Sequence, residues 1–387
     1  MSCCQTLLFK YFFNGYIFLL RCFCLLSFKF NTSHRAFYYS NISFVYTIIF
    51  ILAYAYILPQ YLEVVFRLVT GTSPQITKLL TGFWLSTIYL GGIVPCLVGL
   101  VYRKSILNLY NSYVRLWYTL KQGVPENFDR KIFYRFIFKS VVIDGVCIVG
   151  AVGIRVRFYW LNGRTPYQLY DALFNYFILS MHACVSNLFV IVAYLGAHYF
   201  RILNYRIQMV NGMLKELDHN RECWWSKPKL KTRIYKRPIR ELYKLARLHG
   251  EINRTIQKFM ELHDPSLLVI VVRGFIGIIL GTYAMVVIPL RIIFLPTIDV
   301  YVYLLLQLVI YFFHFFYLVE SAALFTRRAE KTGTILDDFS RKEANELLDT
   351  AIETISLELL HRDHKISNIG LYYIDFSLIY AVSWRKQ

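Results

Sequence analysis

Apolar residues run along this chain in long blocks separated by short polar, basic stretches. A helix needs roughly 20 apolar residues to cross about 30 Å of hydrocarbon. Six segments meet or approach that length: 42–58, 81–101, 136–153, 173–199, 267–290 and 300–319. A seventh, 366–384, is only just long enough and ends almost where the chain ends, so it reads as a truncated last span. The pattern predicts an all-α polytopic membrane protein with seven transmembrane helices.

The first apolar stretch, 7–28, is interrupted by Lys10 and Arg21. At about 100° per residue their spacing puts both charges on one helical face, with Asn14 nearby. That predicts a helix lying in the membrane interface, not an eighth span. No small-residue cleavage site follows, which argues against a signal peptide.

Two stretches outside the spans carry a helical stripe. In the first, Leu242, Leu245, Leu248, Ile252, Ile256, Phe259 and Leu262 form an apolar face that runs towards the fifth span. In the second, Leu347, Leu348, Ile352, Ile355 and Leu359 follow Ser340, with Glu343 placed as its capping-box partner. These faces must be buried on the rest of the chain, on the bilayer surface or on another subunit, and pattern alone leaves the three open.

Composition agrees with a membrane solvent: 57% of the 387 residues are hydrophobic, 17% are charged, and there are 31 Phe and 31 Tyr. The organisation read from it is an N-terminal cytoplasmic or interfacial segment (1–41) and a six-helix bundle (42–326) that includes a cytoplasmic loop (201–265). A cytoplasmic helical segment (327–365) and the shortened seventh helix (366–387) follow. The net charge of +19 does not indicate nucleic acid, because the basic residues sit between apolar runs with no recognition module. They suit loops that face anionic membrane lipid.

Orientation follows from those basic residues. The loops after spans two, four and six carry 7, 15 and 7 of them and 4 more precede the first span, while no intervening loop holds more than 3. The N-terminus is therefore placed in the cytoplasm. The sequons at Asn31 and Asn41 pull the other way, and a third, at Asn253, lies in the most basic loop. The eight cysteines show no CxxC or metal-ligand spacing, so neither a metal nor another cofactor is expected.

Seven spans with an inside N-terminus invert the topology of a G-protein-coupled receptor, the alternative class. The third span also ends Gly153-Ile154-Arg155-Val156-Arg157 without Asp-Arg-Tyr, and no Asn-Pro-x-x-Tyr closes the seventh. His182, His198 and His314 form no His-x-x-x-His pair, and no GxSxG or phosphate loop is present, so an enzyme is not indicated.

Arg240-Glu241-Leu242 through Leu248-His249, then Ile252-Asn253 and Phe259, resembles the insect gustatory receptor family. So does Gly370-Leu371-Tyr372-Tyr373-Ile374-Asp375-Phe376-Ser377-Leu378-Ile379, which looks like the start of that family's last helix. The family's Thr-Tyr…Gln-Phe signature does not follow, and the chain instead reads from Tyr380 to Gln387. The resemblance implies a homo- or hetero-tetrameric, ligand-gated cation channel in the plasma membrane of a sensory neuron, opened by small organic tastants, bitter compounds included. The missing signature implies, as a second possibility, a shortened form that does not conduct alone.

With this topology, the outer halves of spans two to six would surround a ligand pocket. Trp84, Tyr89, Tyr176, Phe177, Tyr283, Tyr301, Tyr303 and Gln307 fall there, and aromatic walls with few polar groups suit small organic ligands. In a chain this rich in aromatics, most such residues serve packing and interface belts. Asp144 and Arg273 are the deepest charges and could pair with each other or meet a polar ligand; Lys139, Arg155 and Glu320 lie nearer the span ends and are expected to snorkel or cap. Asp375, Ser377, Ile379 and Tyr380 would line the pore, where symmetry turns one carboxylate into an acidic ring. The alternative for Asp375 is a carboxylate bonded to a helix end at the cytoplasmic mouth.

Overall fold

The computed structural model describes residues 15–31, 33–70, 75–121, 130–161, 167–219, 228–291, 298–339 and 346–378. A short helix, α1 (15–22), leads into an antiparallel hairpin of β1 (Phe28–Asn31) and β2 (Ala36–Tyr39). Helices α2 (Asn41–Thr70), α3 (Gln75–Val101), α4 (Arg103–Lys121) and α5 (Arg130–Ile137) follow, and a π-helical stretch (Phe138–Cys147) joins α5 to α6 (Ile148–Leu161). Then come α7 (Tyr167–His219), α8 (Pro228–Leu262), α9 (Asp264–Arg291), α10 (Ile298–Asp337) and α11 (Glu346–Leu360), closed by a second hairpin of β3 (Ser367–Asn368) and β4 (Tyr372–Tyr373).

Among the described residues, six helices are long and apolar enough to cross a membrane: Asn41–Glu63, Thr81–Val101, Arg130–Arg157, Leu173–Glu216, Asp264–Tyr283 and Tyr301–Asp337. They coincide with the six segments read from the sequence. α7 is the axis of the bundle, with 83% of its apolar window buried against 17% for α2. α2 is peripheral and turns Ile42, Val45, Ile49, Leu52 and Tyr56 outward. Lipid is as apolar as these side chains, so their exposure carries no penalty there.

Two expectations are corrected at the ends of the chain. α1 does not lie apart at the interface. The Tyr16 hydroxyl donates to the Cys184 carbonyl at 3.0 Å, its ring meets Phe136 edge-on at 5.7 Å, and Leu20 and Cys24 are buried. Lys10 and Asn14 lie outside the described residues.

The seventh span does not begin at Ile366 either. Residues 366–374 fold back as a hairpin, in which the Ile374 amide donates to the Ile366 carbonyl at 2.8 Å. Ile369 and Gly370 both adopt positive φ (52° and 68°), a left-handed pair that no α-helix accommodates. Helical conformation resumes at Phe376. Glu343 of the proposed capping box and residues 379–387, including Ile379 and Tyr380, lie outside the described residues.

Both amphipathic stripes are buried within this chain. In α8, Leu242, Leu245, Leu248, Ile252, Ile256 and Phe259 are all buried, against α7, α4 and α11. α7 approaches closely enough that a Cβ on Gly196 would stand 2.8 Å from both Ile256 and Phe325. In α11, Leu348, Ile355 and Leu359 are buried against α8 and α10. The segment after α11 is pinned to the same elements, because Asn253 donates to the Asp363 carbonyl (3.0 Å), Gln257 to that of Lys365 (3.0 Å) and Thr326 to that of His364 (3.2 Å).

A histidine pair sits where these helices meet. His249 packs on Phe200 (4.7 Å between ring centroids) and on His364 (5.1 Å). Arg362 donates to its Nδ1 at 3.4 Å, which makes Nε2 the protonated nitrogen facing the Ala329 carbonyl. Burial first, then the adjacent His364, push the His249 pKa down to about 3, and burial with Arg362 also lowers that of His364. Between the ordinary imidazole value of 6.5 and these lowered ones, the unfolded chain binds protons that the folded one refuses. Stability should hold steady above about pH 7 and fall as pH drops below about 6.5. Thermal unfolding of the purified protein across that range checks this, and His249→Gln should flatten the slope.

Candidate ligand site

An apolar cavity of about 260 Å³ lies between α2 and the N-terminal part of α7, lined by Phe50, Ala53, Tyr54, Ile57, Phe174 and Phe177. Its α2 wall follows from spacing, since positions 50, 53, 54 and 57 are the i, i+3, i+4, i+7 face of one helix. The rings brace one another. Phe50 stacks on Tyr54 at 6.0 Å and meets Phe177 at 5.9 Å, Phe174 stacks on Phe177 at 6.3 Å, and Tyr61 covers Phe174 at 4.6 Å. Tyr89 of α3 stacks behind Tyr54 at 6.4 Å.

Deeper in the bundle lies a buried ionic cluster. Lys139, which is fully buried, donates to Asp144 Oδ2 at 3.3 Å and to Asn187 Oδ1. Asn187 donates to the same carboxylate, and His314 Nε2 lies 2.7 Å from Asp144 Oδ1. The π-helical winding makes this possible. Residues five apart on an α-helix stand about 140° from each other. In an i→i+5 helix the fifth residue sits over the first, so Lys139 reaches Asp144.

A third group surrounds the Tyr303 hydroxyl, which accepts from Arg155 (3.2 Å), Asn175 (3.2 Å) and Gln307 (2.6 Å). The Asp375 carboxylate accepts from the Ser377 amide at 2.9 Å and from the Ser377 hydroxyl, which makes Asp375 the N-cap of the helical turn starting at Phe376. No group of histidine, cysteine and acidic residues among the described residues could hold a metal ion.

A family profile, 7tm chemosensory receptor, matches residues 13–383. The chain belongs to that family. The receptor's fold is similar to that of the insect olfactory receptor OR5 from Machilis hrabei, with a TM-score of 0.67 at 11% identity over 97% of this chain and 96% of that one. The same olfactory receptor in complex with eugenol matches with a TM-score of 0.67 and 11% identity, covering 97% of this chain and 95% of that one. No curated protein matches the receptor's sequence.

Of the residues singled out in the sequence, the receptor brings Phe177 to the cavity wall and Tyr89 behind it. Trp84 is half-buried against the core, and Gln307 belongs to the Tyr303 group. The side chains of Tyr176, Tyr283 and Tyr301 make no ring contact or hydrogen bond among the described residues, and the first two are exposed. Asp144 does not pair with Arg273, which instead stands over the Tyr311 ring at 5.4 Å. Lys139 does not snorkel, because its amine has two bonded oxygens inside. Glu320 accepts from Arg135 and from the Tyr194 hydroxyl, and Arg155 is held at Tyr303.

Phe50, Ala53, Tyr54 and Ile57 were missed because they lie in the first span, outside spans two to six, and Phe174 of the fourth span was missed among its many aromatic neighbours. On the first span the signal was the i, i+3, i+4, i+7 spacing of positions 50, 53, 54 and 57. Asn187 was missed because it interrupts an otherwise apolar run and carries no charge.

Proposed function

We propose that the receptor is a gustatory, ligand-gated cation channel subunit of a sensory-neuron plasma membrane, working as a homo- or hetero-tetramer with related receptors and opened by small organic tastants, bitter compounds among them. The observation that carries this reading is the ring-lined cavity between α2 and α7. Its volume of about 260 Å³ is just below the roughly 300 Å³ at which drug-sized sites begin, which favours a compact ligand. Walls of phenyl and phenol rings reward apolar contact and shape without demanding one hydrogen-bond pattern. Membership of a chemosensory family and the likeness to an olfactory receptor solved with eugenol support it.

In this reading the ligand shifts the channel only by binding its open form more tightly. α7 and α10, which pack on each other along the bundle, would carry that preference to the extramembrane helices. The last helix lines the pore, with Asp375 and Ser377 at its cytoplasmic mouth.

The test is patch-clamp recording of cells that lack G-protein signalling, with the receptor expressed alone and with related receptors. Small aromatic tastants are expected to evoke inward cation current, and Ala53→Phe, which fills the cavity, should raise the half-maximal concentration at least tenfold at unchanged surface expression. Current only on co-expression marks a subunit that needs partners. Responses that require G-protein signalling, or no current in either setting, would overturn the channel reading.

A further inference from the structure

The aromatic cavity offers an occupant no hydrogen bond. Its six lining residues carry one polar side-chain group, the Tyr54 hydroxyl, and that group is spent elsewhere. It donates to the Ile88 carbonyl of α3 at 3.4 Å, and it stands so close to α3 that a Cβ on Gly92 would collide with its oxygen. The backbone groups of the walls are bonded along α2 and α7. Small-molecule sites ordinarily hold a few placed polar groups that fix orientation. Among the described residues this one has rings and aliphatic side chains alone.

Exposure locates the mouth. Tyr54 is 5% exposed and forms the floor, Phe50, Phe174 and Phe177 are half-buried, and Ala53 and Ile57 are exposed, Ile57 to 49%. A lining residue that is also exposed stands at the rim. Both rim residues adjoin Ile49, Leu52 and Tyr56 on the outward face of α2, inside the apolar span Asn41–Glu63. At a rise of 1.5 Å per residue, Ile57 is about 9 Å and Ala53 about 15 Å from the Glu63 end of that span. With a hydrocarbon core about 30 Å thick, the mouth opens among lipid acyl chains and not into water.

We propose that the cavity binds a compact hydrocarbon dissolved in the bilayer, which enters sideways between α2 and α7. A hydroxyl carried inside would give up its partners at the headgroups and find none, a cost that a hydrocarbon does not meet. Selection among hydrocarbons is then by shape, through contact with the rings of Phe50, Phe174 and Phe177. This deepens the function reading by naming the ligand class of the same cavity, and rests on that reading for any effect on current.

The experiment uses the full-length receptor in lipid nanodiscs. Binding of p-cymene and of its hydroxylated counterpart, 4-isopropylbenzyl alcohol, is measured by equilibrium dialysis against empty nanodiscs, so that each affinity refers to the concentration within the membrane. Wild type should bind p-cymene at least tenfold more tightly than the alcohol, and Ala53→Phe, which fills the cavity, should abolish binding. If Ala53→Phe does not fold, Ala53→Leu should weaken p-cymene at least threefold. A phospholipid with a diazirine halfway along its acyl chain reports the route: on illumination it should label α2 at Ala53 or Ile57, and saturating p-cymene should suppress any label at Phe50 or Phe177.

An alcohol bound as tightly as the hydrocarbon, or p-cymene binding that both Ala53 variants leave unchanged, overturns the proposal. So does the absence of label at Ala53 and Ile57, which closes the lateral route. Label at Phe50 or Phe177 that p-cymene does not displace makes the occupant a resident acyl chain and overturns it as well. Tastant-evoked current without p-cymene binding sinks this site and leaves the channel standing. Hydrocarbon binding with the stated preference, but no current under any condition, does the reverse.

Discussion

Asp144→Ala should lower the stability of the receptor by about 3–5 kcal/mol, because it strands a fully buried ammonium. Among the described residues Asp144 is the acidic partner of Lys139, and the same carboxylate also holds His314 and Asn187, so one substitution removes an acceptor from three elements. The cost arises from the uncompensated charge, not from the worth of the pair. Lys139→Met combined with Asp144→Asn removes both charges and keeps an oxygen for His314, so the double variant should be more stable than Asp144→Ala alone. Thermal unfolding of the detergent-solubilised receptor measures both. If the losses of Lys139→Met and of Asp144→Asn, each measured alone, simply add in the double variant, the two residues are not coupled and the argument fails.

Phe259→Ala should cost about 3–5 kcal/mol, while the exposed neighbour Lys258→Ala should change stability by less than about 0.5 kcal/mol. Phe259 is completely buried, stacked on His263 at 4.4 Å and set edge-on to Phe189 of α7 at 5.9 Å. Truncation opens a cavity where α8 meets the membrane helix at the centre of the bundle. In the proposed channel that junction passes motion from the ligand site to the extramembrane helices, so the variant should also lose evoked current faster than surface expression. Equal stability of the two alanine variants would mean that the α8 stripe is not packed as described.

Much of this architecture was legible in the order of residues. Apolar runs of span length marked the six spans, since backbone polar groups in lipid must bond within their own segment. The stripe from Leu242 to Phe259 marked a helix with one buried face, and every one of those positions is buried. These are local properties, set by periodicity and solvent, and one strand of sequence contains them.

Contacts between segments were not legible. A regular helical wheel separates Lys139 from Asp144; a π-helical stretch joins them, and Asn187 and His314 arrive from α7 and α10. The hairpin at 366–374 reads as the start of a helix until Ile369 and Gly370 take left-handed backbone angles. The cavity depends on which face of α2 meets α7, and in a chain with 31 Phe and 31 Tyr no aromatic announces its partner. Periodicity says that a face must be covered, but only packing in three dimensions chooses what covers it, because that choice is made by shape and charge far apart along the chain.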